Sequence, residues 1–172
     1  MTVSKAFANQ ALALAASECN IDDARKALQM GAEPNFVDSQ GFTAALYFAD
    51  YGCAEGVYMV FEEAQKKDAE VIGYPPSRSA QQVLQVNKHK VSAPLLFIRR
   101  GDVATVLKLA EMDPSILSQP ILNELKPDLG FSKADVVSLI KAGFVTDARL
   151  SAILSTLSLS LSSILEDLEE AA

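Results

Sequence analysis

Apolar positions along this chain fall in short blocks with helical spacing, each block split by a small or polar pair. Ala11-Leu12-Ala13-Leu14-Ala15-Ala16 is followed, past Cys19, by Ala24-Arg25-Lys26-Ala27-Leu28-Gln29-Met30. Ala44-Ala45-Leu46-Tyr47-Phe48-Ala49 is followed, past Gly52, by Val57-Tyr58-Met59-Val60-Phe61-Glu62-Glu63-Ala64. Ala11 aligns with Ala44, a spacing of 33 residues. Each block predicts two short helices joined by a turn. Helices of this length are not stable alone in water, so they must stack on copies of themselves to bury a shared face. The pattern puts Leu12, Leu14, Ala15, Leu28, Phe48, Val60 and Phe61 in the core.

The link between the blocks, Gly31-Ala32-Glu33-Pro34-Asn35-Phe36-Val37-Asp38-Ser39-Gln40-Gly41-Phe42-Thr43, is dense in turn chemistry. Gly31 ends one helix in a left-handed conformation, Pro34 cannot continue it, and Thr43 caps the next through its hydroxyl. A third unit opens at Ala93-Pro94-Leu95-Leu96 and continues from Gly101-Asp102, a turn and an N-cap, into the apolar face of Val103, Val106, Leu107 and Ala110. A degenerate fourth unit runs from Gly130-Phe131-Ser132 to Gly143.

These residues resemble the ankyrin repeat. Its glycine-alanine-acidic-x-asparagine link, hairpin aspartate and glycine-x-threonine lead-in correspond here to Gly31-Ala32-Glu33-Pro34-Asn35, Asp38 and Gly41-Phe42-Thr43, and the period matches. The resemblance implies an all-α solenoid of about four helix-pair repeats, with units about 5–38, 39–70, 88–118 and 120–146 making a repeat domain over 1–146. It also implies a protein partner, bound by hairpin tips and inner helices; the matching positions are Phe36, Ser39, Gln40 and Phe42 on the hairpin and Tyr47, Asp50 and Tyr51 on the helix. Tyr and Phe are common interface anchors; equally, Phe36 and Phe42 could pack on each other, and Tyr47 on its neighbour. The sequence departs from the family where Ala13, Leu46 and Leu96 replace the lead-in histidine, where Val91 stands for the glycine of the third unit, and where Asp113-Pro114-Ser115 replaces a hairpin.

Two stretches stand outside the repeat. An insertion at about 68–90 contains the loop Gly73-Tyr74-Pro75-Pro76-Ser77-Arg78-Ser79, then Ala80-Gln81-Gln82-Val83-Leu84-Gln85-Val86, either a short helix or extended; it is a functional loop or a passive one. From Asp147 to the end, Leu150, Leu154, Leu157, Leu161, Ile164 and Leu168 form a heptad seam. This predicts a long C-terminal helix, residues 147–172, that caps the stack by burying Leu150, Leu154, Leu157 and Leu161. The alternative is pairing with a partner or with its own copy.

Composition narrows the function classes. The chain is 49% hydrophobic and 22% charged with a net charge of −7, an ordinary globular balance that repels phosphate backbones and argues against nucleic acid. No apolar run is long enough to span a membrane, since Leu150 to Leu165, though uncharged, is short and rich in hydroxyls. With His89 the single histidine, and flanked by lysines, histidine-rich metal sites are excluded. Asp22-Asp23 sits at a helix start, where carboxylates serve the helix dipole. No glycine-rich phosphate loop exists. The reading is therefore a non-enzyme with no cofactor, metal or catalytic residue. Cys19 and Cys53 are expected to be reduced, because equivalent turns of stacked repeats lie about 10 Å apart, beyond the ~7 Å limit for bridging. A cytoplasmic, reducing location is expected, since two distant cysteines make no disulfide framework and no secretory signal is read at the start. The acidic end Glu166-Asp167-Leu168-Glu169-Glu170 is similar to C-terminal signals of effectors that intracellular bacteria export into host cells.

Overall fold

A computed structural model describes residues 4–70, 79–144, 152, 154, 155, 157 and 159–170. Among these the chain is all-helical, without a strand. It divides into two compact units, Met1–Leu96 and Phe97–Ala172. The expected boundary at 146/147 lies outside the described residues.

The first unit holds α1 (Lys5–Ser17), α2 (Ile21–Gln29), α3 (Ala44–Tyr51), α4 (Ala54–Glu70) and α5 (Ser79–Val83). Helix α6 (Ala93–Arg99) contains the division between the units. Helices α1, α2 and α3 start on polar caps: Ser4, Asn20 and Thr43 accept from the N–H three residues on, at 3.2, 3.1 and 3.3 Å, satisfying a donor with no partner inside the helix. Helix α1 packs on α2, α3 on α4, α1 on α3 and α2 on α4. The two helix pairs therefore stack through both members. Their core is made of Leu12, Ala15, Ala27, Leu28, Leu46, Phe48, Val60 and Phe61. Small residues let the helices approach closely: a Cβ added to Gly56 on α4 would lie 2.3 Å from the buried Phe48 ring.

Leu14 is not in the core. It is 63% exposed, because the buried stripe of α1 runs through Ala8, Leu12, Ala15 and Ala16 at helical spacing, and residue 14 falls about 200° around from residue 12. With Phe7 and Met30 it lines a shallow apolar groove on the α1–α2 pair. The stripe includes one polar residue, Asn9, whose Oδ1 accepts the Glu33 N–H at 2.8 Å and ties α1 to the following link.

The cysteines are not free. Cys19 and Cys53 form a disulfide with a Cα separation of 6.0 Å. Equivalent turns explain why the expected 10 Å fails. Asn20 N–H donates to Ala15 O just as Cys53 N–H donates to Phe48 O, so Cys19 corresponds to Gly52 and not to Cys53. One residue of offset, not full equivalence, carries Cys53 toward the neighbouring turn. Cys19 takes the left-handed position (φ 52°) that Gly52 holds (φ 85°) in the next pair.

The second unit holds α7 (Val103–Met112), three 3-10 turns (Pro114–Ser118, Ile121–Glu124, Pro127–Leu129), α8 (Lys133–Lys141) and α9 (Leu161–Glu169). A reciprocal cap starts α8: Ser132 Oγ accepts the Asp135 N–H, and Asp135 accepts the Ser132 N–H. Arg99 grips Glu124 through two hydrogen bonds of 2.7 and 3.1 Å. Helix α9 packs on α8, and Lys133 pairs with Asp167 at 2.8 Å.

The C-terminal seam is not one long helix. Leu157 lies in a turn, Leu159 and Ser160 are non-helical, and Ser160 is extended (ψ 137°), its hydroxyl accepting the Ser163 N–H to start α9 afresh. Serine hydroxyls compete for backbone groups and favour caps over helix interiors, which a leucine count does not register. Leu154 and Ile164 are buried at 1% exposure and Leu157 is half-buried. Asp147, Leu150 and the side chains of Leu161 and Leu168 lie outside what the structure describes.

Candidate binding surface at the hairpin

The link between α2 and α3 closes as a hairpin built on one carboxylate. Asp38 Oδ1 accepts the N–H groups of Gln40 and Phe42, both at 2.9 Å. The backbone adds Asp38 N–H to Phe42 O (2.9 Å) and Gly41 N–H to Asp38 O (3.0 Å). On its other side Asp38 Oδ2 accepts the Tyr47 hydroxyl at 2.5 Å. Burial works to raise the pKa of Asp38, but the Tyr47 hydroxyl and the Phe42, Gln40 and Gly41 amides outweigh it and hold the carboxyl below its ordinary value. The same hydrogen bond, with burial and the nearby negative charge, pushes the Tyr47 hydroxyl up to about 12.

The insertion is built onto this hairpin. Its loop at 71–78 lies outside the described residues. At the end of α5, Val83 and the following Leu84 are buried, and residues 87–91 form a second turn of the same design. Asn87 Oδ1 accepts the N–H groups of His89 (2.9 Å) and Val91 (3.1 Å). Asn87 N–H reaches Val91 O at 2.8 Å, and Lys90 N–H reaches Asn87 O at 2.9 Å. The residue in Gly41's place is therefore Lys90 (φ 60°), not Val91, and Ser92 stands where Thr43 caps α3. The sequence alignment of the third unit was one residue out. Gly130-Phe131-Ser132 repeats the pattern before α8, with Gly130 at φ 68° and its N–H on Pro127 O.

The two turns of the first unit lie against each other. Asn87 Nδ2 donates to Gly41 O at 3.0 Å, and His89 Nε2 meets Gln40 O at 2.8 Å. Asn35 Nδ2 donates to Gln82 Oε1 at 2.6 Å. The Phe42 ring lies 5.3 Å from Tyr47 and 6.2 Å from His89. Lys88 crosses Gly41 so closely that an added Cβ would sit 2.4 Å from Lys88 Cε. Between hairpin and insertion a cavity of about 490 Å³ remains, with Val37, Leu46, Val86 and Lys88 among its walls; that is a size that holds small ligands or a few side chains.

The structure brings Gln40, Phe42 and Tyr47 into this cluster, with Phe42 and Tyr47 half-buried and Ser39 and Gln40 exposed. Phe36 is half-buried, its N–H on Glu33 O. Asp50 and the 60% exposed Tyr51 sit at the other end of α3, beside the disulfide-bearing turn. Sequence reasoning missed Asn35, Gln82, Asn87 and Lys88. The signal was present in Asn87-Lys88-His89-Lys90-Val91-Ser92, which matches Asp38-Ser39-Gln40-Gly41-Phe42-Thr43 at its Asx, apolar and hydroxyl positions. Among the described residues no cluster of His, Cys, Asp or Glu is arranged to hold a metal ion, and no helix is long and apolar enough to cross a membrane.

No family model matches the chain, and no curated protein matches it.

Proposed function

We propose that this chain is a protein-recognition module of ankyrin-like helix pairs, binding another protein through the hairpin tip and first helix of its second pair. The observation that carries the reading is the recurrence of one turn, with its left-handed fourth residue and its hydroxyl cap two residues on, at Gly41, Lys90 and Gly130. A repeated rigid turn presents short variable tips on a fixed scaffold, the arrangement that serves recognition in repeat proteins. Ser39, Gln40, Asp50 and Tyr51 are the exposed side chains of this surface, and Phe36, Phe42 and Tyr47 support them. The reading assigns no catalysis to the chain. The runner-up, self-assembly through the C-terminal leucines, draws no support from Leu154 and Ile164, which are buried within their own unit.

The test is a photo-crosslinker at Tyr51, and a second at Gln40, with a third at Arg25 on α2 as control. The reading expects one protein captured from both hairpin-side positions and not from Arg25. Capture of a second copy of the chain alone would favour self-assembly, and no capture at Gln40 and Tyr51 would contradict the reading.

A further inference from the structure

We propose that the cavity between the hairpin and the insertion binds an extended, acidic peptide segment; this names the partner chemistry of the recognition surface proposed above and rests on that reading.

Three features of the walls select that ligand. The first is apolar. Val37 is 55% exposed and Val86 39% exposed, and both line the same cavity with the buried Leu46. Exposed aliphatic side chains facing one cavity favour a ligand that covers them with an aliphatic group of its own.

The second is amide chemistry. Asn35 and Gln82 are hydrogen-bonded to each other through Nδ2 and Oε1. Among the described residues, that leaves Asn35 Oδ1 and Gln82 Nε2 without a partner. One acceptor and one donor on the same cavity wall can meet a peptide bond, which offers one N–H and one C=O. A side chain alone would use only half of the pair.

The third is charge. Lys88 makes no ion pair among the described residues, and Lys90 and His89 are its neighbours in the exposed turn. Asp38 is on the same wall and keeps its negative charge while its oxygens accept from the Gln40 and Phe42 amides and the Tyr47 hydroxyl. Lys88 and Lys90 together outnumber it, so the two turns are net basic on a chain whose net charge is −7. An acidic ligand is repelled by the molecule at large and attracted here, so charge directs it to this cavity. The Lys88 stem lies over Gly41, which sets its ammonium beside the hairpin.

The experiment is an amide-resolved NMR titration of the full chain with three probes: an acetylated, amidated hexapeptide of alternating valine and glutamate, the same peptide with lysine for glutamate, and succinate. The proposal expects saturable shifts from the first probe alone, centred on Val37, Gly41, Val86 and Lys88. Lys88→Met keeps the stem over Gly41 and removes the charge; it should weaken binding about tenfold, the size of one lost charge-assisted hydrogen bond. Gln82→Ala, at an exposed position, should weaken it by a smaller factor, and the unbound spectra check that both variants fold. Equal binding of the lysine peptide, binding of succinate as tight as the peptide's, shifts centred elsewhere, an unchanged affinity in Lys88→Met, or no saturable shift up to millimolar peptide would each overturn it. The two readings fail separately: a protein cross-linked at Gln40 and Tyr51 with equal yield in wild type and Lys88→Met would leave recognition standing and remove the cavity from it.

Discussion

The turns at 38–43 and 87–92 share a backbone and differ in chemistry. In both, an Asx side chain collects the N–H groups two and four residues on, the fourth residue is left-handed, and a hydroxyl two further on caps a helix. The first uses Asp and Gly; the second uses Asn and Lys. Asp38 also receives the Tyr47 hydroxyl, whereas Asn87 spends its amide N–H on the first turn's Gly41 carbonyl. The Asx oxygen and the hydroxyl therefore define the turn, and glycine is needed only where something else must pass close by. At Gly41 that is Lys88. Lys90, in the second turn, is exposed.

The comparison breaks most severely at Asp38. Asp38→Ala removes two charge-assisted amide bonds and a hydroxyl partner together and should cost about 2–4 kcal/mol in denaturant unfolding. Asn87→Ala removes neutral bonds only and should cost about half as much. Equal losses would mean that the Asp38 charge and its bond to Tyr47 add nothing. Gly41→Ala comes next. It meets both a left-handed backbone and the Lys88 stem, and should cost about 1–2 kcal/mol; the same melt on Lys90→Ala should show almost no change, since the left-handed strain is already present there.

Titration separates the turns further. Asp38 has its folded value lowered, so its stabilisation is present above its unfolded value, near 3.9, and is lost as pH falls through the lower folded one. Tyr47 has its folded value raised, so its contribution is complete below about 10 and is lost as pH rises through about 12. Tyr47→Phe should flatten the alkaline limb of a stability profile while Asn87→Ala leaves that limb unchanged. The smallest effect expected is a gain: Lys90→Gly relieves a left-handed lysine and should stabilise by about 0.5–1 kcal/mol after the extra freedom of the unfolded glycine is counted.

The helix pairs were legible because their signals are local. The spacing of Leu12, Ala15, Leu28, Phe48, Val60 and Phe61, the hydroxyl of Thr43 and the left-handed Gly31 each act within a few residues. Leu14 failed because the apolar run was read without its flanks: Gln10, four residues before, and Ser17, three after, are exposed and share its face of α1. The C-terminal helix failed because leucine spacing continues through Leu157–Leu161 while Ser160 caps a new start. The candidate surface was half visible: Gln40, Phe42 and Tyr47 come from the resemblance to the ankyrin repeat, but Asn35, Gln82 and Lys88 meet them only because the insertion returns to the hairpin, a contact of 46 or more residues' separation. The disulfide needed the same non-local knowledge, at a resolution of one residue.

That last point gives the most direct test of the central claim, that the first two helix pairs stack as consecutive copies of one unit. The stack sets Cys19 one residue out of register with Cys53 and within bridging distance, 6.0 Å between Cα atoms. Protein purified without reductant, unfolded, alkylated and digested should yield one cross-linked peptide pair joining Cys19 to Cys53, with neither cysteine alkylated until reductant is added. Recovery of both cysteines fully alkylated, even after the folded protein has been incubated with excess oxidised glutathione, would contradict the stacking register on which the hairpin and its cavity depend.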